Sequence, residues 1–209
     1  MTIIGSYAFE DCTGLTSISL PDSIETIGYY AFSGCTGLTS ISLPKSLKTI
    51  EQKVFNDCLN IKTIYYNCSE FEDFDYSGNY NPFAEVGNST DKVTVTIGKD
   101  VIYIPSSLFA NCQNIKEIIF EDNCIITAIG NDAFYCCTNL GSIIIPSSVT
   151  TINPYAFNSC SSLETVTFED QNSEWNVDYY GNLTLSVTNP ETNATYLKKT
   201  YSYLTWTKQ

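Results

Sequence analysis

The chain has 209 residues, 43% hydrophobic and 16% charged, and its ten basic and 23 acidic side chains give a formal net charge of −13. That acidity repels phosphate backbones and anionic lipid, which removes nucleic acid and membrane insertion from the expected partners. No histidine is present, so the common general base, the usual catalytic triad and most zinc sites are absent too.

The length is ample for one sizeable core, and a repeat organises it. Met1 to Gly5 enter that repeat mid-unit, with no signal peptide and no transmembrane run. The first unit reads Gly5, Ala8-Phe9, Cys12, Leu15, Ile18, Leu20-Pro21, Ile24, Ile27. The second repeats it as Gly28, Ala31-Phe32, Cys35, Leu38, Ile41, Leu43-Pro44, Leu47, Ile50. Later units start at Phe55, Phe83, Phe109, Phe134 and Phe157, with steps of 23, 23, 28, 26, 25 and 23 residues. Val86 stands at the cysteine position of the fourth unit. A fixed period in the low twenties predicts a solenoid of stacked coils, about seven of them over residues 1–168.

Each unit carries two local periods. Leu15-x-x-Ile18-x-Leu20 ends in the alternation of a short strand, which Pro21 stops. Ile24-x-x-Ile27-Gly28 predicts a second extended piece, and Gly28 to Cys35 one to two turns of α or 3₁₀ helix. One unit cannot bury its apolar set. Stacked units can, at roughly 1.5–3 kcal/mol per large side chain, and their strands are expected to pair in parallel as one long curved sheet.

The run Ile-Gly-x-x-Ala-Phe-x-x-Cys-x-x-Leu-x-x-Ile-x-Leu-Pro-x-Ser resembles the BspA-type leucine-rich repeat, closely over residues 3–68 and 105–168 and loosely over 69–104. The resemblance implies an α/β, right-handed horseshoe with a parallel concave sheet and short helical turns on the convex side. It also implies surface or secreted proteins, often adhesins or proteins of unknown role, and brings no catalytic residues. The expected location is therefore extracellular or at the cell surface, with the export signal outside this sequence. A natural start at Met1 would instead make the chain cytosolic.

Residues 169–209 depart from the repeat. Trp175 to Tyr180, Gly181-Asn182 and Leu183 to Val187 read as a hairpin. Asn189-Pro190-Glu191 combines a cap, a first-turn proline and a first-turn acid, which predicts a helix to about Lys199. Tyr201, Tyr203, Leu204 and Trp206 then predict a last strand. The set reads as an α+β cap over the last coil. The alternative is a small binding module using Tyr179, Tyr180, Tyr201, Tyr203 and Trp206 as stacking platforms.

Six of the nine cysteines (Cys12, Cys35, Cys58, Cys112, Cys137, Cys160) hold the repeated interior position and are expected as buried free thiols. Cys68, Cys124 and Cys136 are off-register, with room for one incidental bridge. Asp73, Asp75, Ser77 and Asn79 have the alternating spacing of a calcium loop. The twelfth position is Ala84 and flanking helices are missing, so a solvated acidic loop is the favoured reading, with Phe71 and Phe74 in coil positions, and no cofactor is expected. Asn67, Asn88, Asn182 and Asn193 lie in Asn-x-Ser/Thr triplets.

The residues beside each inward isoleucine form the expected binding face: Thr63, Tyr65, Thr94, Thr96, Glu117, Ile119, Ser142 and Ile144. It is a hydroxyl rail with apolar points at Tyr65, Ile119 and Ile144. The acids are scattered on turns, which points away from an enzyme. The expected function is a non-catalytic protein- or glycan-binding module facing a host or cell-surface partner. The alternative is a spacer or scaffold with no specific ligand.

Overall fold

The structure, a computed structural model, describes residues 2–71, 73, 81–87, 92–177 and 183–209. In chain order the strands are β1 (Ile3–Ile4), β2 (Thr26–Ile27), β3 (Ser40–Leu43), β4 (Thr49–Ile50), β5 (Thr63–Tyr66), β6 (Val93–Ile97), β7 (Tyr103–Ile104) and β8 (Ile115–Phe120). There follow β9 (Ala128–Ile129), β10 (Ser142–Ile145), β11 (Thr151–Ile152), β12 (Thr165–Phe168), β13 (Glu174–Asn176), β14 (Thr184–Ser186), helix α1 (Pro190–Thr195) and β15 (Trp206–Lys208). The chain is a β-solenoid. The coils build two parallel tracks, one of longer strands and one of two-residue strands.

The interior is a column of repeated groups. Phe32, Phe55, Phe83, Phe109, Phe134 and Phe157 are fully buried, and successive rings, beginning at Phe9, have centroids 5.1–5.7 Å apart. Such ring pairs add about 0.5–1.5 kcal/mol each beyond the area they bury. Phe9 remains 36% exposed because no coil covers its outer face, and Cys12 beside it is exposed rather than interior.

The repeated cysteine is more than a small apolar group. Cys35 Sγ donates to Phe9 O at 3.0 Å, Cys58 Sγ to Phe32 O at 3.0 Å, Cys137 Sγ to Phe109 O at 3.2 Å and Cys160 Sγ to Phe134 O at 3.1 Å. Each thiol thereby satisfies a main-chain carbonyl of the coil before it. All nine cysteines are free.

The segment carrying each phenylalanine is not helical, contrary to the one or two turns of helix expected. In every unit but the fourth, around Phe83, it has two left-handed residues, two positions before and two after the ring. They include Tyr30 and Gly34 around Phe32, Ser107 and Asn111 around Phe109, and Asp132 and Cys136 around Phe134, with φ between 53° and 70°. These reversals aim alternate amides along the solenoid axis. Phe32 N donates to Val54 O (3.0 Å) and Gly34 N to Asn56 O (2.8 Å), while Ala31 N, Ser33 N and Cys35 N bond within the coil. A helix would keep every amide inside its own turn; this ladder of turns spends half of them on the next coil. Asp11, Gly34, Asp57 and Asn111 at the second reversal tolerate the left-handed region. Cys136 is off-register because it occupies that reversal.

The longer strands do not form the one continuous sheet expected. They make a four-stranded sheet, β3-β5-β6-β8, and a separate pair, β10-β12. Proline marks where the ladder stops. At the residue after the strand, Asn67 N donates to Leu43 O (3.3 Å), Gly98 N to Tyr66 O (2.7 Å), Glu121 N to Ile97 O (2.9 Å) and Glu169 N to Ile145 O (3.0 Å). The equivalent residues of the second and sixth coils are Pro44 and Pro146, which have no N–H to give. Leu15 to Leu20 of the first coil accordingly form no strand beside β3, and among the described residues no backbone hydrogen bond joins β8 to β10.

The second track comprises β1-β2-β4 and β7-β9-β11. Its coils touch so closely at the Ile-Gly step that a Cβ on Gly28 would meet Ser6 N at 2.6 Å, and one on Gly130 would meet Ser106 N at 2.6 Å. Antiparallel β15 pairs with β11 and then β13, so the last segment continues this sheet. The hairpin forms with Trp175 opposite Leu185; its tip, with Tyr179 and Tyr180, lies outside the described residues. Asn189 caps α1 by accepting from Thr192 N at 2.8 Å. The α-helix ends at Thr195 and a π-helical turn, Tyr196–Thr200, carries Lys198 and Lys199. The last strand starts at Trp206 rather than Tyr201, because the ring of Trp206 is needed inside. It is 1% exposed, 6.5 Å from the buried Trp175 ring, and so is not a surface platform. Among the described residues no helix is long and apolar enough to cross a membrane.

Candidate functional site

The outward residues fall into two rows. Ser40, Thr63, Thr94 and Glu117 stand in register, as do Ser42, Tyr65, Thr96 and Ile119; beyond the break Ser142 faces Thr165 and Ile144 faces Thr167. Thr63, Glu117, Ile119, Ser142 and Ile144 are exposed, and Tyr65, Thr94 and Thr96 half-buried.

The break gathers four of these eight. Glu117, Ile119, Ser142 and Ile144 line one cavity of about 280 Å³, together with Phe120, Asp122, Pro146 and Glu169. An adjoining cavity of about 220 Å³ shares Phe120, Asp122, Pro146 and Glu169 and continues past Cys124 and Ser148. Ile119 is 43% and Ile144 57% exposed, both far above the buried residues beneath them. The opening follows from the local sequence. Pro146 removes a ladder bond. The 25-residue step from Phe109 to Phe134 also places its extra length in the loop after β8, where Asn123 turns left-handed. No lysine or arginine lines either cavity, while Glu117, Asp122 and Glu169 do. One Glu169 oxygen accepts from Ser147 N at 2.9 Å.

Tyr65 lies apart from this group. Its hydroxyl donates to Glu121 Oε2 at 3.2 Å, and the same oxygen accepts from Lys99 N at 2.9 Å. Burial, and then the nearby Glu121 carboxylate, push the Tyr65 phenol above its usual pKa, so it stays a neutral donor. The sequence reading of the site missed Phe120, Asp122, Pro146 and Glu169. The available signal was the proline: it replaces a donor at a strand-end position that other coils fill with Asn67, Gly98, Glu121 and Glu169.

The calcium-like loop is described at only one of its proposed ligands. Asp73 Oδ1 already accepts from Tyr103 OH at 2.8 Å and Ser106 N at 2.7 Å, tying Asp73 to the end of the fourth coil. Asp75, Ser77 and Asn79 lie outside the described residues, and among the described ones no cluster of three or more cysteines or carboxylates has metal-site geometry. Of the Asn-x-Ser/Thr triplets, Asn193 is fully buried and donates to Val166 O and Val187 O, both at 2.9 Å. Asn67 is half-buried and exchanges hydrogen bonds with Asp100. Asn88 and Asn182 lie outside the described residues.

The BspA type leucine rich repeat region matches residues 2–81 and 88–204 in six copies. The chain belongs to the BspA-type leucine-rich repeat family. The family match runs into the C-terminal segment as far as residue 204, just short of β15. Among solved structures, this BspA-type chain is similar to a leucine-rich repeat protein from Bacteroides ovatus, with 27% identity over 79% of this chain and 52% of that one, and a TM-score of 0.39. It is also similar to a leucine rich cell surface protein from Faecalibacterium prausnitzii, with 23% identity over 81% of this chain and 57% of that one (TM-score 0.34). A third is the pneumococcal vaccine antigen PcpA, with 25% identity over 84% of this chain and 38% of that one (TM-score 0.40). The BspA-type chain thus spans little more than half the length of the first two. Among curated proteins none matches it.

Proposed function

We propose that the chain is a non-catalytic protein- or glycan-binding module of a cell-surface or secreted protein, an adhesin in the broad sense, which grips its partner through the outward strand face around Ile119 and Ile144. The observation that carries this reading is the cavity between them. Elsewhere the face is a shallow rail of Ser and Thr, whereas here two exposed isoleucines border a concave, acid-rimmed opening. Isoleucines kept exposed on either side of a cavity suit partner contact better than they suit solubility. The extracellular setting rests on the family and on a surface filled with Ser, Thr and Asn in place of charge. Residues 169–209 act in this reading as a cap rather than a second binding domain.

The test is binding of immobilised mucin glycans and host surface proteins to the parent chain and to the Ile119→Ala, Ile144→Ala double variant. Both side chains are exposed, so the fold survives. Loss of about tenfold or more in affinity is expected. One observation favours the spacer reading: Ser17 and Ser19 recur as Ser40 and Ser42, whereas an epitope differs from unit to unit. A parent chain that binds nothing establishes the spacer, and a double variant that binds as the parent does overturns the placing of contact at Ile119 and Ile144.

A further inference from the structure

The opening has three properties that point to one kind of occupant. The first is an unpaired main-chain edge. β12 takes the carbonyls of Gly141 and Ile145 through Glu164 N and Glu169 N. Main-chain groups alternate sides along a strand, so those of Ser142 and Ile144 point the other way, toward β8, where no ladder receives them. The second is apolar walls of the right size. At about 280 Å³ the cavity sits at the lower edge of the roughly 300–1,000 Å³ typical of small-ligand pockets. That is room for a long side chain between Ile119 and Ile144, not for a folded element. The third is charge. Glu117, Asp122 and Glu169 rim the cavity, all three exposed, and no cation lines it.

We infer that the opening between β8 and β10 receives an extended segment of a partner protein. β8 and β10 stay too close for a further strand to lie between them, so the segment's main chain crosses the mouth of the opening and one of its lysine or arginine side chains enters the cavity. The aliphatic stem packs between Ile119 and Ile144, and the cation reaches Glu117, Asp122 and Glu169. An amphipathic stem with a charged tip is what this combination of apolar wall and acidic rim matches, and the unladdered main-chain groups of Ser142 and Ile144 lie at the mouth that the segment covers. The inference rests on the binding reading above and names its partner chemistry: a basic, extended peptide segment rather than a neutral glycan.

The experiment titrates the intact chain with a short alternating lysine–threonine peptide and with its glutamate–threonine counterpart, at low and at physiological salt. The lysine peptide is expected to bind and the glutamate peptide not to. Glu117→Gln with Asp122→Asn should weaken binding by about tenfold or more. Glu10→Gln with Asp22→Asn, in the first coil, should leave it unchanged. Bound peptide should also slow hydrogen exchange at the Ser142 and Ile144 amides, which diffuse attraction to a chain of net charge −13 would not do. Equal loss in the two charge variants, or no protection at those amides, overturns the inference. A mucin glycan or host protein that needs Ile119 and Ile144 while the lysine peptide is ignored also sinks it, and leaves the broader binding reading standing. Failure of every ligand sinks both.

Discussion

The junction between β6 and β8 and the junction between β8 and β10 are built from the same repeat, yet one is a closed ladder and the other an opening. At the first, Glu121 N reaches Ile97 O at 2.9 Å; at the second, Pro146 occupies the equivalent place. Beneath the closed β6–β8 junction Phe83 and Phe109 lie 5.4 Å apart and tilted by 36°, and beneath the open one the column is the more regular of the two. Phe109 and Phe134 stack at 5.7 Å and 5° across the open junction, much as Phe32 and Phe55 do at 5.6 Å and 8° inside the closed region. The core and the sheet are therefore separable layers. Ring stacking, with thiol–carbonyl bonds at most steps, sets the coil spacing, and the outer ladder is interrupted between β8 and β10 without disturbing it.

The interior column predicts the largest effect. Burial pushes the thiols of Cys58 and Cys160 up to about 12, and those of Cys112 and Cys137 well above the usual range. In the unfolded chain they ionise near ~8.5. Their contribution is complete below ~8.5 and is lost as pH rises toward 12, by about 1.4 kcal/mol per pH unit for each thiol. Denaturant melts under reducing conditions should show stability falling steeply above pH ~9. A flat profile between pH ~8 and ~10.5 would mean that the thiols are not held neutral inside.

Next in size is the ring stack at the two kinds of junction. Phe134→Ala and Phe55→Ala should each cost about 3–5 kcal/mol. Their cooperativity should differ. Where β5 pairs with both β3 and β6, the weakened coil stays coupled through the sheet and melts in one transition. Where β8 and β10 share no ladder, Phe134→Ala leaves the two halves joined by the two-residue β9–β11 pair and the turn bonds, and a separate transition is expected for the sixth and seventh coils with the C-terminal segment. Two calorimetric peaks for Phe134→Ala against one for Phe55→Ala would establish the layered picture; identical single peaks would refute it.

How much was legible in the sequence differs by layer for the same reason. The phenylalanine, cysteine and isoleucine positions of the interior recur at a fixed period, so the solenoid and the inward faces of β5, β6, β8 and β10 could be read directly. The outward residues followed from alternation. What could not be read was anything set by one coil acting on the next. The turn segments looked helical because Gly28, Ala31, Phe32 and Cys35 have near-helical spacing, but Tyr30 and Gly34 reverse the chain to reach Val54 and Asn56. Asp11, Asp57 and Asn111 at the second reversal were the visible clue. The cleft was half legible: Ile119 and Ile144 stood out as apolar points, but the missing donor at Pro146 and the longer loop after β8 accompany the parting of their strands, and only the folded chain brings Asp122 and Glu169 to the rim.

The smallest effect is the most direct on the comparison, because it exchanges the two strand-end residues. Glu121→Pro removes the bond to Ile97 O and should cost about 1–3 kcal/mol, with Glu121→Ala as the control for the side chain that also holds Tyr65 and Lys99. Pro146→Ala works in the other direction. A restored N–H facing Phe120 O adds about 0.5–1.5 kcal/mol, while the more flexible unfolded chain takes back about 0.4–1 kcal/mol. The two nearly cancel, so a melting curve is the wrong instrument. Hydrogen exchange is the right one: the new amide at position 146 and those of Ser142 and Ile144 should become protected as β10 closes on β8, and the lysine–threonine peptide should lose its site. If those amides exchange as freely as before and peptide affinity is unchanged, the proline only accompanies the opening, and the longer loop after β8 is what holds the strands apart.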